Sequence, residues 1–363
     1  MQFGLINAYS TLNLGDAAIY SAFRKLLPQV ELVACVRDKY PDPTLGISFL
    51  ADRPKGCAAY ISVGGDIFNN SREWFVTKSF LLNLAELRRQ PRHTILFGQS
   101  IPRSCHGLSF FLLRQCLLSL SAVCVRDSES YHRLRQAGVE ARLSYDIAFA
   151  LECSLSATQK AKEMLSLQAI DPAKAAVLSV RAFDSMYTHD NDRFVGRMTQ
   201  LCLQLQQYGY QPIILIQSRA YGADNDLDVA QSIQSGAPGT AIFDPFLDDH
   251  SVPSWQLAMA LFSLVDLVIA VRFHTAVLSL AAGRVPFHLH YSNKGRDLCN
   301  RLELPGCDLS HFNPESDLPA VLASSGRIFD PSAIRAKVNS DFRWCLNQLP
   351  VGLRAETSAG GHA

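Results

Sequence analysis

The sequence predicts an α/β protein of two Rossmann-like domains facing a cleft. Short apolar runs alternate with longer segments of helical period, the pattern of a parallel sheet flanked by helices. The alternation starts afresh at Ser154, and 363 residues suit two domains that each bury a core. The expected division is a first Rossmann-like domain over 1–153, a second over 154–330, a C-terminal helix within 331–350 and a flexible tail over 351–363. The tail is rich in Ala, Gly and Ser and has little to bury.

In the first half the apolar runs predict strands at Phe3–Asn7, Val30–Val36, Ala58–Val63, Thr94–Phe97, Ala122–Val125 and Ala141–Ser144. Helices fill most gaps, among them Trp74–Leu87 and Ser128–Ala137, the latter stopped by Gly138. In the second half a helix runs from Ser154 to about Leu167, and strands follow at Ala176–Val180, Pro212–Ile216, Thr240–Phe243, Leu267–Val271 and Val285–Leu289. Phe194, Met198, Leu201, Leu205 and Tyr208 recur at steps of four and three, so the helix that carries them has one buried stripe. The last helix is expected over Pro331–Leu349.

Composition narrows the function classes. Hydrophobic types make up 48% and charged types 18% of the residues, which excludes wholesale disorder. A formal net charge of +1, with no basic run, removes the sequence-independent attraction of a nucleic-acid binder. The apolar stretches Leu108–Val125 and Leu257–Val271 carry Arg114 and Asp266, and a central charge costs a spanning helix about 2.5–3.5 kcal/mol, so each is expected as a buried helix followed by a strand. The start lacks a basic segment before an apolar one, so no secretory signal is expected. The ten cysteines form no Cys-x-x-Cys pair, and reduced core thiols in a cytoplasmic protein are the expectation.

Ligands of open α/β sheets sit beyond the carboxyl ends of the strands, so the loops there are where chemistry is sought. Val268–Val271 runs into Arg272-Phe273-His274-Thr275 and a helix of small residues. Free N–H groups and the positive helix end suit a phosphate or carboxylate, and a guanidinium adds a bidentate partner. His274 is the side chain there that exchanges a proton near neutral pH. The opposing possibility is a structural ion pair for Arg272 and simple packing for His274. Arg181, directly after the strand ending at Val180, is another cation at a ligand-facing end. Lys294, past the strand that ends at Leu289, is either an anion contact or a solvated lysine. His288 and His290 share one face of their strand, but a metal site lacks a third ligand, so no metal is expected. In the first half, Asn13-Leu14-Gly15-Asp16 and Gly64-Gly65-Asp66 follow strands; Asp16 caps a helix or orients sugar hydroxyls. Neither segment matches the dinucleotide fingerprint or the P-loop.

In order, Asn13-x-Gly15-Asp16, Gly64-Gly65, Gly98-Gln99 with Pro102, Arg126-Asp127-Ser128, Asp146 with Ala148-Phe149, Arg181, Arg272-x-His274, Pro286 and Tyr291-x-x-Lys294 resemble the polysaccharide pyruvyl transferase family. The resemblance implies a glycosyltransferase-B-like fold and transfer of a pyruvyl group from phosphoenolpyruvate to a saccharide, as a cyclic ketal, with no cofactor. It implies His274 and Arg272 as catalytic residues, Arg181, Lys294, Thr275 and Tyr291 on the donor, and Asn13, Gly15, Asp16, Gly64, Gly65 and Asp66 on the acceptor. A lipid-linked acceptor at the inner face of the membrane and a homo-oligomer are compatible with it. The chain departs from the family pattern at Ala17 and Asp66, where Glu and Gly are usual. Two other classes stand beside this one: a nucleotide-sugar glycosyltransferase, for which Asp224, Asp226 or Asp228 would hold the ribose, and a non-catalytic binding protein that keeps the fold.

Overall fold

A computed structural model describes residues 1–70, 75–183, 190–220, 224–247 and 251–353. They fall into two compact units, one made of Met1–Thr11, Ala18–Leu151 and the chain from Ser332, the other of Leu12–Ala17 and Glu152–Pro331. Two segments therefore depart from a single break near residue 153. Leu12–Ala17 packs with the second unit because its backbone bonds to the loop after a strand there, Leu14 N to Gln217 O (2.9 Å) and Arg219 N to Leu12 O (2.8 Å). The C-terminal helix, Ser332–Leu346, returns to the first unit. Residues 354–363 of the expected tail, and Trp74 of the expected helix Trp74–Leu87, lie outside the described residues; that helix is described over Lys78–Leu87.

The first unit holds seven parallel strands: β1 (Gln2–Ile6), β2 (Glu31–Ala34), β3 (Ser48–Phe49), β4 (Ala59–Ser62), β5 (Thr94–Gln99), β6 (Ala122–Val125) and β7 (Arg142–Leu143), in the order β3-β2-β1-β4-β5-β6-β7. β4, β5 and β6 are buried along their whole length, which explains why they read as unbroken apolar runs rather than as alternation. Phe342 of the C-terminal helix meets Phe97 of β5 at 5.2 Å and Phe23 at 5.5 Å between ring centroids. This aromatic cluster, within the first unit's core, ties the end of the chain to that unit.

The second unit holds six parallel strands: β8 (Ala175–Ser179), β9 (Gln211–Leu215), β10 (Ala241–Phe243), β11 (Leu267–Ala270), β12 (Phe287–His290) and β13 (Gly306–Asp308), in the order β10-β9-β8-β11-β12-β13. The helix Asn191–Gln207 buries Phe194, Met198, Leu201 and Leu205 against this sheet, as their spacing predicts, whereas Tyr208, expected on the same stripe, is the C-cap residue and is exposed. β3 and β13 were not expected. Both are too short to show a period, and Gly306 has no side chain to mark one.

Strand order reverses between β1 and β4 in the first unit and between β8 and β11 in the second. At such switch points neighbouring loops diverge at the carboxyl ends and leave room for a ligand. Among the described residues no helix is long and apolar enough to cross a membrane.

Candidate active site

The second unit's switch point gathers most of the residues singled out by sequence. Arg181 follows β8, Arg272 and His274 follow β11, and Tyr291 and Lys294 follow β12, all at the carboxyl ends of neighbouring strands of the parallel sheet. Ser179, the last residue of β8, accepts hydrogen bonds at its hydroxyl from Val271 N (2.9 Å) and Arg272 N (3.2 Å), so β8 and the turn after β11 are locked together. Arg272 is the N-cap of the helix Phe273–Ala281 and makes no side-chain capping bond. Its side chain turns back instead.

That side chain is 5% exposed, and each of its three nitrogens donates a hydrogen bond. Nη1 donates to Asp224 Oδ1 (2.9 Å), Nε to Asp226 Oδ1 (3.2 Å) and to Val180 O (3.1 Å), and Nη2 to Asp226 Oδ1. The other Asp226 oxygen accepts from Gln217 N (3.1 Å) and Ser218 N (3.0 Å). Burial pushes the Asp226 carboxyl up to about 6 even against the charge of Arg272. Burial also works against ionisation of Asp224, yet Arg272 and Arg181 hold its carboxyl below the ordinary range. A charge pair so buried depends on both partners being present, since removing one strands the other in low dielectric.

Asp224 is the hub of the cluster. Its Oδ2 accepts from Asn13 Nδ2 (3.0 Å) and Ser218 Oγ (3.0 Å), and Arg181 Nη2 stands 3.8 Å from its Oδ1. Arg181 Nη1 donates to the Tyr291 hydroxyl (2.5 Å), and its guanidinium lies 5.2 Å from the Tyr291 ring centroid. Lys294 is in the first turn of the helix Asn293–Leu302, with Nζ 5.3 Å from the centroid of Phe273. Thr275 is buried and donates to Gln217 Oε1, so its hydroxyl braces the β9 loop.

Asn13 and Gly15 belong to the same cluster. Asn13 Oδ1 accepts from Gly15 N (2.9 Å), opening the helix Leu14–Leu26, with Asp16 in its first turn. A Cβ on Gly15 would lie 2.0 Å from His274 Nδ1 and 2.4 Å from its Cγ. Glycine here is a requirement of close approach: it lets the imidazole lie against the helix start.

The six residues assigned by resemblance to the acceptor thus divide. Asn13, Gly15 and Asp16 stand with the second unit, while Gly64, Gly65 and Asp66 follow β4 in the first. There a Cβ on Gly64 would meet Gly98 O at 2.9 Å. Asp66 Oδ1 lies 3.5 Å from Arg126 Nη2; the wholly buried Arg126 also donates to Asp146 Oδ2 (2.6 Å) and Ser100 Oγ (2.9 Å). One guanidinium thereby ties together the loops that follow β4, β5, β6 and β7.

The sequence pattern does not single out Gln217 and offers Asp224 and Asp226 only as ribose contacts of the alternative class. A usable signal was present. Three acids within five residues follow a buried strand; Asp228, the third of them, is exposed. Among the described residues no group of His, Cys, Asp and Glu is arranged to hold a metal ion.

Among curated proteins none matches the sequence. Solved structures share the fold at very low identity. A UDP-GlcNAc 2-epimerase from Neisseria meningitidis, bound to UDP-GlcNAc, is similar at TM-score 0.58 and 9% identity, over 96% of this chain and 100% of that one. The UDP-GlcNAc 2-epimerase from Methanocaldococcus jannaschii is similar at TM-score 0.55 and 10% identity, over 95% and 99%. With two parallel sheets and helices on the pattern of these neighbours, the fold is of the glycosyltransferase-B-like class, built of two Rossmann-like domains. The family model for polysaccharide pyruvyl transferases matches residues 13–293, from the asparagine that binds Asp224 to the start of the helix bearing Lys294, and the chain belongs to that family.

Proposed function

We propose that this protein transfers a pyruvyl group from phosphoenolpyruvate to two hydroxyls of a saccharide, closing a cyclic ketal and releasing phosphate. The observation that supports it best is the convergence of Arg181, Arg272, His274 and Lys294 at the second unit's switch point. Phosphoenolpyruvate carries a carboxylate and a phosphate, and the start of the helix Phe273–Ala281 with cationic side chains beside it matches that charge.

In this reading the first sugar hydroxyl adds to C2 of the donor while a proton reaches the methylene carbon, making it a methyl group. The second hydroxyl then attacks C2, its proton is removed, and the C–O bond to phosphate breaks. No electrons are exchanged with a cofactor. His274 is the proton-transfer group. Arg181 and Lys294 meet the donor's anionic groups, and Arg272, fixed by Asp226, presents Nη1 from behind them. The saccharide enters by Asn13 and Asp16.

A nucleotide-sugar transferase is less well supported, because Asp226, one of the acids that would hold a ribose, is wholly buried and committed to Arg272. The His274→Ala variant should lower turnover of phosphoenolpyruvate at least about a hundredfold, the scale for losing a proton-transfer group. Unchanged turnover refutes the role. Thermal shifts with phosphoenolpyruvate against uridine and guanosine diphosphates separate the two donors, since a ligand at about 100 times its Kd stabilises by about 2.7 kcal/mol.

A further inference from the structure

Asp224 differs from Asp226 in what it does for Arg272. Asp226 is wholly buried, engages Nε and Nη2 and is pinned by two backbone N–H groups. Asp224 is on the outer side, with 21% of its side chain exposed. Its Oδ1 faces the Nη1 of Arg272 at 2.9 Å and the Nη2 of Arg181 at 3.8 Å. One carboxylate oxygen therefore sits where two guanidinium groups from adjacent strands converge, covering the more buried of them. Its other oxygen is held by two neutral groups, Asn13 Nδ2 and Ser218 Oγ. An oxygen between two guanidiniums is the arrangement a bound carboxylate or phosphate would adopt.

We infer that the Asp224 carboxylate is an internal stand-in for the donor's anion: it occupies the convergence of Arg181 and Arg272, and the incoming anion displaces it. This inference rests on the donor-site reading above. It makes Asp224 a residue that weakens donor binding while keeping the two cations apart and oriented. The displaced carboxylate must leave a cationic contact and remain close to an incoming like charge, and both effects oppose the ligand.

A purely structural Asp224 predicts weaker binding on its removal, and charge repulsion without displacement predicts tighter binding in Asp224→Asn but none in Ser218→Ala, which keeps the charge. Asp224→Asn keeps an acceptor oxygen for Arg272 and removes the charge. Calorimetric titration of the full chain with phosphoenolpyruvate, and separately with inorganic phosphate, should give a Kd for each about tenfold lower in this variant than in the wild type. Equal or weaker binding of both ligands overturns the inference. Tighter phosphate binding without detectable phosphoenolpyruvate binding in either protein upholds displacement and refutes the donor. Wild-type phosphoenolpyruvate binding that Asp224→Asn fails to tighten upholds the donor and refutes displacement. Should Asp224→Asn not fold, Ser218→Ala, which deletes one of the groups holding Oδ2, carries the same sign: phosphate binding a few-fold tighter supports displacement, and unchanged or weaker binding overturns it.

Discussion

Gly15→Ala tests whether the first motif of the chain exists to accommodate His274. The added methyl would stand 2.0 Å from Nδ1 and 2.4 Å from Cγ of that ring, about 1.4 Å inside ordinary contact at 3.4 Å. Cγ is near the root of the side chain, so the ring cannot evade the methyl by moving its far end alone. Overpacking of this kind costs about 1–3 kcal/mol. The backbone itself favours the change: Gly15 is in a helix without a positive φ, where Ala is better than Gly by up to about 1 kcal/mol. The two terms oppose each other and can be separated by a double-mutant cycle with His274→Ala. Alone, Gly15→Ala should lower the melting temperature, by about 2–4 °C per kcal/mol for a unit of this size. In the His274→Ala background the same change should be neutral or raise it. A loss equal in both backgrounds would show that Gly15 serves something other than the imidazole. On the role proposed for His274, displacing it by about 1 Å costs on the order of a hundredfold, and Gly15→Ala should then also reduce phosphoenolpyruvate turnover on that scale.

Two further outcomes concern stability. Arg126→Met leaves Asp146 buried without its guanidinium, and the loss of about 3–5 kcal/mol expected for a broken buried pair should show as a lower urea midpoint; a shift below 1 kcal/mol would mean that Asp146 is satisfied without Arg126. Burial pushes the His288 imidazole down to about 4, while in the unfolded chain it titrates near 6.5. Between those values the unfolded chain binds the extra proton, so stability falls as pH drops from about 6.5 to 4, by about 3 kcal/mol in all. His288→Gln should flatten that dependence by close to one proton, and an unchanged slope would refute it.

Much of this protein is determined by the sequence alone, because parallel strands buried on both faces leave continuous apolar runs and amphipathic helices leave a periodic stripe. Those signals locate the strands and the alternation that starts again at Ser154. They also place Arg181, Arg272, His274 and Lys294 at carboxyl ends, where a ligand of this fold binds. The two-residue β3 and the glycine-led β13 escape such reading, since a period needs more residues than they have.

What only the tertiary structure decided is pairing across long separations. Asn13 and Asp224 are 211 positions apart, and no local pattern shows that Gly15 is small because His274 lies against it. The Asp224-x-Asp226 segment looks solvated by composition. Asp226 is wholly buried and Asp224 partly so because Arg272, on a different strand end, supplies a charge that compensates their desolvation. The C-terminal helix likewise shows its apolar positions in sequence, but its place in the first unit follows from Phe342 fitting between Phe23 and Phe97. Local periodicity is written by the backbone's own geometry, whereas the choice of partner for a charge or a ring is made by the packing of the whole unit.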